Sequence, residues 1–183
     1  MTKKNANKFS KEEEILLNSF SPELSKKGSA LFVVNSLVSS LAPIFLFYGV
    51  HQLEVDEAWM VWTATVLIST YLLTMAAKNE KHKLKHKLVQ KRTQAIEREI
   101  NKKYADDKKM TRKEKDERAL FRRNEVADNE STWLSIFYNN MMFFGIFIIL
   151  AFFFFANVSP LINSVVSIIS AAGFVAFIST AKN

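Results

Sequence analysis

The sequence predicts an all-α integral membrane protein with four transmembrane helices and a cytosolic helical hairpin between the second and the third. Asp, Glu, Lys and Arg are absent from residues 28–53, 58–77 and 131–181. A helix needs about 20 apolar residues to cross a hydrocarbon core of about 30 Å. The first two stretches therefore predict one span each. The third is long enough for two spans, separated at the turn sequence Asn157-Val158-Ser159-Pro160.

These spans divide the chain into four parts. The expected parts are a polar cytosolic tail at 1–27, the first two spans at 28–77 with a short lumenal loop at 51–57, a basic cytosolic hairpin at 78–132, and the last two spans at 133–181 with a lumenal turn at 157–159. Ser159 as N-cap and Pro160 at the first helical position favour a helix that starts directly after that turn.

Small and polar side chains recur within the spans. Pro43 removes a backbone hydrogen bond and predicts a kink in the first span. Asn35, Asn139 and Asn140 are expected to hydrogen-bond to neighbouring helices or to lie at headgroup level. Small residues let helix backbones approach each other. They predict packing faces on the second and fourth spans, formed by Thr63, Ser69, Thr70, Thr74, Ser164, Ser167, Ala171, Ala172, Ala176 and Thr180.

The distribution of charge predicts the orientation. Residues 78–130 carry 18 Lys and Arg against 11 Asp and Glu, a net charge of +7. The first short loop carries Glu54, Asp56 and Glu57 and no basic residue. Because basic residues collect on the cytosolic side of membrane proteins, the middle segment and both termini are expected in the cytosol.

The middle segment is expected to form two helices. It contains no Gly or Pro and is rich in helix-forming residues. A break is expected near 105–108, and Thr111 with Glu114 fits a capping box for the second helix. Apolar positions that would pack the two helices as an antiparallel hairpin are Leu84, Leu88, Ala95, Ile96 and Ile100 on the first helix and Ala119, Leu120, Val126, Ala127, Trp133 and Leu134 on the second.

The basic residues of this hairpin predict an anionic partner. The positive-inside rule accounts for charges within about 15–20 residues of a span but not for those beyond residue 111. On the first helix, Lys83, Lys87 and Lys91 line one edge. Such an edge binds phosphates in a salt-dependent manner, and RNA and anionic lipid headgroups fit it equally well.

No catalytic or cofactor-binding pattern is present in the sequence, so we expect no enzyme activity, no cofactor and no metal. The chain contains no cysteine, which excludes disulfides and thiolate ligands. His82 and His86 have the spacing of a helical metal site but lack its glutamate and are surrounded by lysines. Because the span interiors hold no ionisable residue, a pump or proton-coupled transporter is disfavoured. A small transporter or channel with a lipid-sensing basic loop is the alternative function.

Three blocks of the sequence resemble a known family. They are KMTRKEKDER at 109–118, NEVAD at 124–128 and SIFYNN at 135–140, with shorter matches at 29–32, 69–72 and 84–87. This chain resembles the gamma subunits of the translocon-associated protein complex, a family also called signal sequence receptor gamma. The matching stretches run from the N-terminal tail to the end of the chain.

The resemblance implies a non-catalytic subunit in the endoplasmic reticulum membrane that assists co-translational translocation. It implies alpha, beta and delta partner subunits, a Sec translocon beside them, surrounding membrane lipids, and a cytosolic loop that binds RNA and protein of the large ribosomal subunit. The candidate ribosome-binding residues are, in order of preference, Arg112, Lys113, Lys115 and Arg118, then Lys83, Lys85 and Lys87, together with Arg122 and Arg123, which stand where lysines are expected. Asn129 stands where an aromatic residue is expected.

Overall fold

A computed structural model describes residues 26–103 and 112–181, and within these ranges every regular element is helical. The elements are α1 (Lys26–His51), α2 (Val55–Lys103), α3 (Arg112–Ile149), a π-helical segment (Leu150–Phe154) and α4 (Pro160–Thr180). Four helices in the described ranges are long and apolar enough to cross a membrane. The predicted all-α fold with four candidate spans is therefore confirmed. The predicted break at 105–108 and the capping residue Thr111 lie outside the described residues.

The two central helices are much longer than a bilayer requires. α2 has 49 residues, which corresponds to about 74 Å at a rise of about 1.5 Å per residue. Its apolar part, 58–77, continues without interruption into a polar part because no Gly or Pro separates them. α3 has 38 residues and runs from a polar part into an apolar one. We call residues 78–103 of α2 and 112–132 of α3 the polar extensions.

α2 is the central helix of the bundle, since each of the other three helices makes its most extensive contacts with it. Large buried side chains fill the space between the helices, among them Phe47, Phe143 and Ile168. Small side chains bring the backbones together, as expected for helices that associate in lipid. Of the residues predicted to pack in this way, the buried ones are Ser69, Thr70, Thr74, Ser164, Ser167, Ala171, Ala172 and Ala176.

Two residues predicted on these packing faces are exposed instead, so that part of the prediction is wrong. The Thr63 hydroxyl donates to the Trp59 carbonyl at 2.7 Å, and the Thr180 hydroxyl donates to the Phe177 carbonyl at 2.8 Å. Both hydroxyls are satisfied by their own helix. Neither side chain therefore needs a neighbouring helix.

Hydrogen bonds between helices confirm the prediction made for the asparagines of the spans. Asn35 and Asn140 exchange two amide hydrogen bonds of 3.2 and 3.1 Å between α1 and α3. Ser39 adds a third bond to Asn140 at 3.0 Å. Asn139 donates to the Leu73 carbonyl of α2 at 3.2 Å. The two asparagines thereby tie α3 to both preceding helices.

The connection between α1 and α2, at the end of the bundle opposite the polar extensions, differs in detail from the prediction. α2 begins at Val55, so the connection after α1 is shorter than the loop expected at 51–57. Asp56 belongs to the first turn of α2, where negative charge is favourable for the helix dipole. The chain turns between the two helices at Gln52, which has a positive φ of 51°.

The third span ends in the π-helical segment, which the sequence did not predict. The Phe155 amide bonds to the Leu150 carbonyl at 2.9 Å. The side-chain amide of Asn163 in α4 donates to the Ala151 carbonyl at 3.0 Å. α4 then starts with Ser159 as N-cap and Pro160 in the first turn, as predicted, although the Ser159 side chain makes no capping bond.

Candidate functional site

The polar extensions of α2 and α3 lie antiparallel to each other. Later residues of α2 contact earlier residues of α3: Lys81 bonds to Asp128 at 3.1 Å, and Thr93 accepts a bond from Arg123 at 3.1 Å. The site that the sequence predicted therefore consists of two long helices held side by side. Whether a given cation faces the partner helix or solvent decides what it can bind.

The face shared by the extensions is more polar than the sequence predicted. Its buried residues are Lys81, Val89, Thr93, Ile96 and Ile100 on α2 and Arg123, Ala127 and Ser131 on α3. The prediction was correct for Ile96, Ile100 and Ala127. Ala95 and Trp133 are exposed, so the prediction was wrong for them.

Ala95 is exposed because successive residues of a helix point in different directions. Each residue turns by about 100°, so the neighbour of a buried residue points elsewhere. Ala95 precedes the buried Ile96 and turns away from α3. A polar residue such as Thr93 is buried because its hydroxyl donates to the Val89 carbonyl at 2.8 Å and also accepts the bond from Arg123. Apolar periodicity alone could not locate that position.

A cluster of three charges joins the extensions close to the apolar segments. Asp128 of α3 accepts from Lys81 at 3.1 Å and from Lys85 at 3.2 Å. Burial alone would raise the pKa of Asp128, but the hydrogen bonds and charges of Lys81 and Lys85 outweigh it and hold the pKa below its ordinary value. The side chain of Lys81 is only 8% exposed. A buried ammonium is tolerated only where it is paired, so this cluster is structural.

Of the three lysines predicted to bind a partner from α2, two have partners within the chain. Lys85 pairs with Asp128, and its side chain is 15% exposed. Lys83 donates to the Ala181 carbonyl at 2.8 Å and lies 3.4 Å from the Ile178 carbonyl. A cation is favourable at the C-terminus of a helix, so Lys83 caps α4. Lys87 is exposed.

His82, which lies beside this cluster, has a lowered pKa. Burial lowers the pKa of His82, and the charges of Lys81, His86 and Lys85 lower it further. His82 therefore carries less positive charge at neutral pH than an ordinary histidine. Within residues 26–103 and 112–181, no group of three or more His, Cys, Asp or Glu side chains could hold a metal ion.

Exposed cations form an outer edge on α2. We define this edge as Lys87, Lys91, Arg98 and Lys102, all exposed. Their positions fall within an arc of about 60°, and this arc lies roughly opposite the face that packs against α3. Lys87 and Lys91 were recognised from the sequence, whereas Arg98 and Lys102 were missed. Their spacing of seven and eleven residues from Lys91 was the available signal, but adjacent glutamates concealed it.

The predicted cations of α3 also divide into two groups. Arg118 and Arg122 are exposed and Lys115 is half-buried. Arg122 pairs with Glu125 on the surface at 2.9 Å. Arg123 is 5% exposed and bonds to Thr93. Arg112 and Lys113 begin α3, but their side chains lie outside the described residues.

Arg92 shows that an exposed cation can still be bonded to another residue of the chain. Its guanidinium makes two bonds to the Glu130 carboxylate, of 3.1 and 2.8 Å. Such a bidentate pair has a fixed geometry. Arg92 therefore joins α2 to α3, whereas the outer edge keeps its charge towards solvent. This arrangement can bind an extended polyanion along one side of the extensions.

Comparison with known proteins identifies the family. The family model of the translocon-associated protein, gamma subunit (TRAP-gamma), matches residues 12–181. A protein of Dictyostelium discoideum named translocon-associated protein subunit gamma is 28% identical over 160 residues, which cover 87% of this chain and 91% of the relative. These matches confirm the resemblance drawn from the sequence blocks, and this chain therefore belongs to the TRAP-gamma family.

Proposed function

We propose that this chain is a non-catalytic subunit of the translocon-associated protein complex that anchors the complex to a translating ribosome. The observation that carries the proposal is the outer edge of α2, a row of exposed cations opposite the face that packs against α3. Cations in a row neutralise successive phosphates of a nucleic acid. The partner is the RNA of the large ribosomal subunit, together with ribosomal protein beside it.

The length of α2 favours RNA over a lipid surface. Arg98 and Lys102 lie 21 and 25 residues beyond Ala77, the last residue of the apolar segment. At about 1.5 Å per residue these distances are about 31 and 37 Å along the helix. The potential of an anionic membrane decays within a Debye length of about 8 Å. Lipid headgroups therefore attract the near end of the edge and leave its far end without a partner.

The contact surface is narrower than the set of cations named from the sequence. It comprises the outer edge of α2 with Lys115, Arg118 and Arg122 of α3. Arg112 and Lys113 stay candidates on the strength of the family resemblance. Lys83, Lys85 and Arg123 instead stabilise the helices, because each is bonded to another helix within the chain.

The cellular setting follows the family. The complex lies in the endoplasmic reticulum membrane beside the Sec translocon, with alpha, beta and delta subunits as partners. Both termini and the polar extensions face the cytosol, in keeping with their positive charge. Long helices that continue from the spans transmit the position of the ribosome to the membrane. The chain thereby assists co-translational translocation by keeping the complex at the channel.

Co-sedimentation across a salt series tests the anchor. Full-length chain in lipid nanodiscs would be mixed with large ribosomal subunits, and Lys91→Gln/Arg98→Gln would be compared with the native sequence. A matched control, Gln52→Glu/Asn157→Glu, lowers the net charge equally at the other end of the bundle. Loss of two phosphate contacts reduces the slope of log affinity against log salt by about 1.5. We expect this change in the first variant alone, and unaltered binding by that variant would contradict the proposal.

A further inference from the structure

A cavity of about 420 Å³ opens between α2, α3 and α4, where the apolar segments meet the polar extensions. One part of its wall carries charged and polar side chains, and the other part is apolar. The residues that decide its chemistry are Glu80 and Lys83 of α2, Tyr138 and Met142 of α3, and Val175 and Ile178 of α4. A wall divided in this way suits a ligand that has a charged head and an apolar tail.

The cavity lies at the level of lipid headgroups. Glu80 and Lys83 are three and six residues beyond Ala77, the last residue of the apolar segment of α2, or about 4.5 and 9 Å along the helix. The headgroup layer extends about 5–7 Å beyond the hydrocarbon core, and a long lysine side chain reaches back towards it. Tyr138 is half exposed, as is common for tyrosine at the membrane–water interface.

Lys83 brings a positive charge to this cavity. Its ammonium donates to the Ala181 carbonyl at 2.8 Å and lies 3.4 Å from the Ile178 carbonyl. Both acceptors are uncharged, so the charge of the ammonium is not neutralised by them. An ammonium has three N–H donors, and the third can serve a phosphate oxygen. The lysines that contact Asp128 differ, because a carboxylate already balances their charge.

Glu80 brings a negative charge one turn before Lys83. It is half-buried, and within residues 26–103 and 112–181 its carboxylate makes no ion pair. A carboxylate repels a phosphate but accepts strong hydrogen bonds from an ammonium. Side chains three residues apart on a helix are neighbours, with about 5–6 Å between their Cβ atoms. The two charges therefore fit a zwitterionic headgroup that carries a primary ammonium next to its phosphate.

The apolar part of the wall fits an acyl chain. Met142 and Ile178 are exposed at 38% and 41%, and Val175 is buried behind them. An unbranched methionine side chain adapts to an irregular apolar surface. An apolar helix of another protein fits this cavity less well, because it would cover Glu80 and Lys83 without supplying opposite charges, and covering unpaired charges is costly.

We infer that the cavity binds an aminophospholipid, with the phosphate on Lys83, the primary ammonium on Glu80 and one acyl chain along the apolar wall. Such a lipid contacts three helices at the base of the polar extensions and joins the extensions to the bundle. The inference does not depend on ribosome binding, since no residue of the outer edge other than the nearby Lys87 lies within one turn of the two charges.

Lipid selectivity tests the role of Glu80. The full-length chain in detergent micelles would be mixed with equal amounts of dioleoyl phosphatidylethanolamine, phosphatidylcholine and phosphatidylglycerol, and retained lipids would be counted by native mass spectrometry. We expect phosphatidylethanolamine to be retained about three- to tenfold better than either of the others, because only its headgroup hydrogen-bonds to both charges. Glu80→Gln should abolish this preference, whereas the control Glu97→Gln, at an exposed position of the same helix, should keep it. Equal retention of the three lipids by the native chain would overturn the inference.

Two substitutions of Lys83 test the phosphate contact. Lys83→Gln should lower the retention of all three lipids about three- to tenfold. Because that substitution also removes a cation from the end of α4, Lys83→Arg serves as the conservative variant and should retain phosphatidylethanolamine within about twofold of the native chain. A loss in Lys83→Arg as large as that in Lys83→Gln would show that the residue acts only through α4, which would overturn the phosphate contact.

Photocrosslinking in native membranes identifies the occupant. Phe177 lies at the rim of the cavity and is 73% exposed, so Phe177→p-benzoylphenylalanine places a photoreactive group there. We expect adducts with phosphatidylethanolamine that decrease when Glu80→Gln is added. Adducts with a protein instead would mean that a partner helix fills the cavity and would overturn the inference. Lys91→Gln/Arg98→Gln should keep the lipid preference, so failure of the ribosome anchor and failure of the lipid site are separate results.

Discussion

The apolar bundle and the polar extensions belong to the same helices but use polar residues differently. Within the bundle, the amides of Asn35 and Asn140 bond to each other, and the amide of Asn139 bonds to the Leu73 carbonyl. Within the extensions, cations only a few residues apart have different roles. Lys85 is bonded to Asp128, whereas Lys87 faces solvent. Helix rotation thus divides neighbouring cations of one basic sequence into those that are bonded within the chain and those that are exposed to solvent.

The largest expected effect comes from breaking the scaffold at Asp128. Asp128→Asn leaves the buried Lys81 next to Lys85 without a carboxylate. Removing one partner of a buried pair costs about 3–5 kcal/mol. Because the side chain of Asp128 is 47% exposed, we expect a smaller loss of about 2–3 kcal/mol in the free energy of unfolding.

Denaturant unfolding of the full-length chain in detergent measures this loss. Glu125→Gln is the matched control, since it removes a surface carboxylate paired with Arg122 on the same helix. That substitution is expected to cost at most about 0.5 kcal/mol. Equal losses in the two variants would contradict the assignment of Asp128 to the scaffold.

Because of the same carboxylate, the stability of the polar extensions depends on pH. The folded pKa of Asp128 is lowered, so its contribution to the free energy of unfolding is fully present above the unfolded pKa of about 3.9. That contribution is lost as the pH falls through the lowered folded pKa. Stability measured from pH 6 downward should therefore fall more steeply in the native chain than in Asp128→Asn. Parallel curves for the two chains would count against the Asp128 pairing.

Two adjacent arginines on α3 allow a second test of the comparison. Arg123→Gln removes a buried guanidinium that bonds to Thr93 and is expected to lower the free energy of unfolding by about 1.5–2 kcal/mol. Arg122→Gln affects an exposed pair and should cost at most about 0.5 kcal/mol. Thermal unfolding shows which of the two variants loses more stability. A larger loss in Arg122→Gln than in Arg123→Gln would contradict the burial of Arg123.

The bundle should respond more weakly to loss of a polar contact. Asn140→Leu removes the bonds to Asn35 and Ser39. Hydrogen bonds between membrane helices are worth about 0.6 kcal/mol on average, so the loss of these three bonds is expected to cost at most about 1.8 kcal/mol. Ribosome binding should be unaffected. A matched variant, Asn157→Leu at the exposed turn, should change neither property.

The sequence predicted the spans well because composition alone decides whether a helix is stable in lipid. Residues 58–77 needed only the absence of charge to be recognised. The small packing residues of α4 were also found, since their spacing repeats every turn. The contact of Asn163 between helices was missed, because its bond to the Ala151 carbonyl depends on a π-helical segment. No local sequence pattern predicts that segment.

The division of the basic residues could not be predicted in the same way. A buried Arg123 and an exposed Arg122 are adjacent and chemically identical. Their difference arises from the rotation of α3 about its axis relative to α2, which is a tertiary property. The sequence therefore predicted the basic segment as a region, but it could not separate the cations that are exposed from those that are bonded within the chain.

The most direct test of that separation compares Lys85→Gln with Lys87→Gln in the full-length chain. Both variants remove one charge from the same helix, two positions apart. We expect Lys85→Gln to lower the free energy of unfolding by about 1–2 kcal/mol and to leave the salt slope of ribosome binding unchanged. For Lys87→Gln we expect unaltered stability and a salt slope reduced by about 0.8. Identical behaviour of the two variants in both measurements would contradict the division of these lysines into one bonded within the chain and one that binds RNA.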